Sequence, residues 1–168
     1  MKEGAVRLAD IKQKRHVGSI FEFVFEDLTF QAICVAWDEQ FGYLVGFSET
    51  PQAFDHAGSY ADIERATKIF GFLGLDAQIR RGFGKKKAKL PWFVRFQPLL
   101  RGGGGYRPDG TEKSWMTWDG FAWTHVDKSS PELPSLSECT IYDIGTIKDF
   151  LVSGRTVDDL FHGERLCY

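Results

Sequence analysis

The chemistry open to this chain is limited by the spacing of its histidines, cysteines and acidic pairs. His16, His56, His125 and His162 stand far apart with no HxH, HxxxH or HExxH pair, so no turn of helix or strand presents two imidazoles to one metal ion. Each reads as a surface or structural histidine. Cys34, Cys139 and Cys167 are odd in number and lack CxxC spacing, which speaks against a disulfide framework and against a zinc knuckle. A nucleophile and base made of Cys34 and His125 would need the fold to join them. Cys34, however, sits in the apolar stretch AICVAW, where a thiol stays protonated, and it reads as a small core residue. Asp38-Glu39 and Asp158-Asp159 are chain neighbours in a turn and a helix, not facing carboxylates of the kind glycoside cleavage needs. GFGKKK has the glycines and the cation of a phosphate loop but not the order GxxxxGK[ST], nor the strand before and helix after it. These readings lead to an expectation of no catalytic residue, no metal and no cofactor: a protein that binds without turnover.

Charge is more informative. Net charge is −2, yet residues 78–107 carry nine basic side chains and no acidic one, while the flanking blocks are both acidic. Arg80, Arg81, Lys85, Lys86, Lys87 and Lys89 are the candidate anion-binding residues, read as a solvated loop, as a patch for phosphate or single-stranded nucleic acid with Phe83 or Trp92 interleaved, or as a docking face for an acidic partner protein. A sequence pI near 6.1 is low for a nucleic-acid binder of this size.

The elements that would position these residues follow from periodicity. SIFEFVFE alternates from Ser19, Asp27-Leu28 makes a tight connection, TFQAICVAW is rich in strand formers, and Phe41 to Phe47 follows the turn-prone Asp38-Glu39-Gln40; together they predict a meander. After a loop, Ser59 and Asp62 form a capping box that opens a helix of about three turns with Ile63, Thr67 and Phe70 on one face. Trp92 to Gln97 reads as an edge strand. Arg101 to Ser114, with four successive glycines, reads as a mobile loop outside the core. SWMTWDGFAWTHV reads as a hairpin turning on Asp119-Gly120. CTIYDI predicts a last short strand. Ile147, Phe150 and Leu151 then face inward from a helix ended by Gly154, and Thr156 caps a final turn through Val157, Leu160 and Phe161.

With 168 residues, 43% apolar and 15% aromatic, the chain can bury a sizeable core as a single domain, residues 1–168, with 78–114 as a basic, glycine-rich excursion. No run approaches a membrane span and MKEGAVRLADIKQKRHVG holds no apolar signal core, so a cytoplasmic setting is expected. The fold class expected is α+β: mainly antiparallel strands, an N-terminal meander and a Trp-rich hairpin, with short helices and a helical C-terminal region.

Three stretches carry a family likeness. KRHVGSIFEFVFEDLTFQAICVAW, the strand from Gly42 to Phe47, and SECTIYDIGTIKDFLVSGRTVDDL resemble the bacterial immunity protein 26 family, with Lys14, Gly18, Ile20, Phe21 and Phe23 at matching positions. The likeness covers about a third of the chain and leaves the lysine run and the glycine-rich loop outside it. It implies a β-rich fold and a protein partner, a polymorphic toxin neutralised by direct binding. Exposed aromatics with charged neighbours would then carry the interface, with Trp92, Tyr106, Arg107, Trp115, Trp118 and Trp123 as candidates. The alternative expectation is a nucleic-acid-associated module using residues 80–107.

Overall fold

The computed structural model describes residues 15–90, 98–103, 107–119, 122–137 and 139–153. They form an α+β structure whose strands all pair antiparallel, in two sheets. The first sheet is built from β1 (Ser19–Phe25), β2 (Leu28–Asp38), β3 (Gly42–Ser48), β4 (Thr67–Leu73) and β5 (Gly84–Lys89) in the order β4-β3-β2-β1-β5. The second holds β6 (Leu100–Gly103), β7 (Trp115–Trp118) and β8 (Trp123–Val126). Three helices join them: α1 (Tyr60–Ala66), α2 (Leu75–Arg80) and α3 (Ile144–Ser153).

The alternation in β1 sorts its side chains between two cores, because successive residues of a strand point to opposite faces. Phe21, Phe23 and Phe25 join Phe30, Cys34, Val45 and Phe47 on one face, where Leu75 from α2 and Ile147 and Leu151 from α3 cover them. Ile20 joins Ile33, Val35, Leu44 and Phe72 on the other, covered by Ile63 from α1, Leu100 from β6 and Trp118 from β7. With both faces covered, β2 and β3 read as almost continuous apolar runs.

The meander is as expected, but its first turn lies one residue earlier. Phe25 pairs with Leu28, so Glu26 and Asp27 form the two-residue connection, with φ of 48° and 68°. Two left-handed residues match the strand twist, which is why such a turn joins neighbouring strands. Ser59 and Asp62 cap α1 reciprocally. The helix ends at Ala66, however, so the expected face through Thr67 and Phe70 does not exist. Thr67–Leu73 is β4, registered on β3 with Gly46 opposite Phe70. A Cβ on Gly46 would collide with Thr67 and Phe70, so glycine lets the strands close. An apolar run buried on both faces carries no alternation, which makes it easy to mistake for helix.

Much of the expected mobile excursion is regular structure. The lysine run is edge strand β5, paired with β1, and not a loop. Helix α2, which the sequence reading missed, stops in a Schellman arrangement: Gly82 has φ 82°, its N–H donates to the Ile79 carbonyl, and the Phe83 N–H donates to that of Gln78. Arg101, expected in a loop outside the core, is 2% exposed within β6; its backbone N–H donates to the Ser137 carbonyl, and the Cys139 N–H donates to its own. CTIYDI makes a single parallel bridge, Ile141 to Phe72, in place of a strand, because Asp143 turns the chain into α3 by accepting from the Thr146 N–H at 2.9 Å. The strand expected at 92–97, the helix end at Gly154 and the turn from Thr156 to Phe161 lie outside the described residues.

Candidate functional site

The Trp-rich strands pair as a hairpin, but not on the expected two-residue turn at Asp119-Gly120: the Asp119 N–H donates to the Ala122 carbonyl, so residues 120 and 121, outside the described residues, stand between the paired ends. Trp118 faces Trp123 across the turn, and the Asp119 carboxylate accepts from the Ala122 N–H at 2.9 Å. Leu100, Trp118 and Trp123 share a face of the second sheet with Gly102, Met116 and His125, since paired residues point the same way. Along this face an aromatic row runs from core to surface. Phe41 meets Phe72 at 5.1 Å between ring centroids, Phe72 meets Trp118 at 5.8 Å, and Trp118 meets Trp123 at 6.3 Å. Trp123 is 44% exposed and lies over Gly102, where a Cβ would stand 2.5 Å from the indole. Glycine at 102 thus leaves room for the benzo edge of the indole against the backbone, with the ring still partly open to solvent.

The other candidates do not share this surface. Trp115, half-buried, pairs with Gly103 and Val126 and so points to the opposite face, with Thr117. Trp118 is half-buried and joins the two sheets. Arg107 is exposed in a tight turn, where its N–H donates to the Thr111 carbonyl at 2.8 Å and the Gly110 N–H donates to its own carbonyl at 2.9 Å. Trp92 and Tyr106 lie outside the described residues.

The basic candidates gather at the opposite edge of the first sheet. Arg80 ends α2, Arg81 is its C-cap, and Lys85, Lys86, Lys87 and Lys89 follow on β5. Lys87 is separated from the rest by its chemistry. It is the extra residue where the β1 register shifts, and its Nζ lies 2.7 Å from Glu22, whose other oxygen accepts from the Phe54 N–H. Burial pushes the Glu22 carboxyl up, but Lys87 and the Phe54 N–H outweigh it and hold it below the usual carboxylate range. Arg80, Arg81, Lys85, Lys86 and Lys89 remain exposed, and among the described residues none has a carboxylate within ion-pair distance. GFG in GFGKKK is the helix stop and strand start, which explains its glycines without a phosphate.

A titratable cluster that spacing could not reveal lies at the start of β1. Asp76 accepts at 2.8 Å from His16 Nε2 and also binds the Arg15 guanidinium, across some sixty residues of sequence. Burial raises the Asp76 carboxyl, and the hydrogen bonds from Arg15 and His16 more than reverse it. The His16 ring is edge-on to Phe21 and Tyr43, with its Nδ1 turned into that aromatic interior. The arrangement ties the segment before β1 to α2.

The dyad of Cys34 and His125 is not assembled. Cys34 is fully buried in the first sheet, its thiol pushed far up by burial, whereas His125 is exposed on β8. Cys139, half-buried, is pushed up to about 11 by burial and by the Asp38 charge. Among the described residues no three His, Cys, Asp or Glu side chains converge as a metal site, and no helix is long and apolar enough to cross a membrane. An open cleft of about 410 Å³ lies between α1, β4 and the start of β6, lined by Glu64, Lys68, Phe70, Leu99 and Ser137. No protein-family model matches the chain, and no curated protein or solved structure matches it.

Proposed function

We propose that this chain is a non-catalytic binding protein of the immunity type, which neutralises a bacterial toxin by occupying it directly. The observation that carries the reading is Trp123: a large aromatic held at the solvent face over Gly102, with Met116 and His125 on the same sheet face and the tilted rings of Trp118 and Phe72 behind it. A rigid indole loses little rotamer freedom on binding and desolvates a large area, which is why Trp anchors so many protein interfaces. The likeness of β1, β2 and β3 to immunity proteins adds to this. The toxin is blocked by steric occlusion, with no bond made or broken.

The test is co-expression with any toxin-like protein encoded beside this gene. The wild-type chain rescues growth and co-purifies with the toxin, whereas Trp123→Ala, folded to the same degree by circular dichroism, binds it at least about tenfold more weakly. Rescue and complex formation untouched by Trp123→Ala would move the interface elsewhere. Absence of both in the wild type would end the toxin reading.

A further inference from the structure

The first sheet ends on β5, and among the described residues no strand pairs with its second edge. An edge of this kind offers a row of main-chain N–H and C=O groups to any extended chain, so proteins guard it with lysines and bulges. Both guards are present here: Lys85, Lys86 and Lys89 are exposed along the strand, and the register shift places Lys87 as an extra residue. A guard made only of cations repels selectively, however. It excludes neutral and basic strands and leaves the edge open to a strand that carries the opposite charge.

The surroundings strengthen the selectivity. Register places Lys86 on the face of Phe21 and Lys85 on that of Glu22, so cations flank the edge on both faces. Arg80 and Arg81 extend the charge beyond the strand's start. Two acidic groups of β1 and its turn are already engaged, Glu22 by Lys87 and Glu26 by Lys148 at 2.5 Å. At the same end, Phe83 (39% exposed) and Val24 (54% exposed) leave an apolar patch, joined by the Val24 N–H to the Phe83 carbonyl.

We propose that the open edge of β5 receives an extended acidic segment of a partner protein as a sixth strand. Main-chain hydrogen bonds supply the pairing, carboxylates on both faces of the incoming segment meet Lys85, Lys86 and Lys89, and an apolar residue beyond them covers Phe83 and Val24. The segment is therefore acidic at consecutive positions, not at alternate ones. Strand geometry favours a peptide over a nucleic acid: β5 presents backbone donors and acceptors in register, and a nucleic-acid backbone offers no ladder to match them. The inference goes beyond the proposed toxin binding, because Trp123 lies in the other sheet.

The probe is a short fluorescent peptide of consecutive Glu and Asp ended by Phe, long enough to span β5, titrated onto the full chain by anisotropy. Binding is expected to weaken by about tenfold or more between low and high salt. It should fall about a hundredfold in Arg81→Glu/Lys86→Glu/Lys89→Glu, which leaves out Lys85 so that no carboxylate is placed against Glu22. Trp123→Ala binds the peptide as the wild type does, so failure of the toxin reading leaves this result standing. Two measurements on the unaltered chain separate strand addition from simple charge: hydrogen exchange at the β5 amides slows in the complex, and a peptide N-methylated at alternate residues loses binding. Undiminished binding of the N-methylated peptide, unchanged β5 exchange, or no peptide binding at all would overturn the proposal. So would a single-stranded oligonucleotide that binds more tightly than the peptide.

Discussion

At the scale of single residues, the hairpin between β1 and β2 stores strain that a substitution can release. Glu26 and Asp27 both adopt left-handed φ without being glycine or asparagine, and each such residue costs roughly 1 kcal/mol relative to glycine. Glu26 also holds Lys148, so Asp27 is the cleaner target. Asp27→Gly is expected to raise stability by about 0.5–1 kcal/mol after the added freedom of the unfolded chain is subtracted, shifting the melting temperature by a few degrees. Thermal unfolding followed by circular dichroism checks it. A β-branched residue at the same position moves the temperature the other way. The strand alternation before this turn is plain in SIFEFVFE, but the turn's place is not, because Glu26 and Asp27 are both acidic and either can open it, and only the Phe25 to Leu28 register decides between them.

At the scale of elements, Asp76 governs how the lead-in to β1 is held against α2. Its carboxyl is depressed below the usual range in the folded chain, so it stabilises the fold at neutral pH, and that contribution is lost as pH falls below the unfolded value of about 3.9 towards the lower folded one. Asp76→Asn should therefore be less stable than the wild type by a constant margin above about pH 5, and the margin should close on acidification. Urea titrations across that pH range read it directly, and a margin independent of pH would show that the charge is not what Asp76 contributes. No sequence pattern marks this contact. His16 and Asp76 meet only because β1 and α2 pack on the same face of the sheet. The same logic explains β4: Thr67–Leu73 contains the apolar spacing of a helix, and the pairing edge of β3, with Gly46 in its middle, makes it a strand.

At the scale of the whole molecule, two tryptophans that look alike in sequence have different duties. Trp118 lies between the sheets against Phe72, and Trp118→Ala is expected to cost about 2–3 kcal/mol by leaving a cavity at that junction. Trp123→Ala removes a half-exposed ring that ends the row, and should cost under about 1 kcal/mol. Equal losses in denaturant titration would mean that Trp123 serves the fold and not a partner. Their sequence neighbourhoods could not separate them, because burial is decided by strand order: Trp118 is on β7, between β6 and β8, and its partner Trp123 is on β8 at the sheet edge.

What the sequence determined by itself was local: the β1–β2–β3 meander from its alternation, the capping box at Ser59, the pairing of the two Trp-rich strands as a hairpin, and the burial of Cys34 from its apolar strand. These depend on neighbours within a few residues, where backbone preference and side-chain period act directly. The tertiary structure decided the rest: that the lysine run is a guarded edge strand, that Lys87 is paired to Glu22 while its neighbours stay free, and that Arg101 is buried. Each of those depends on a partner distant in the chain. Solvation, charge pairing and the side of a sheet on which a residue falls are properties of the assembled layers, and no single stretch of sequence contains them.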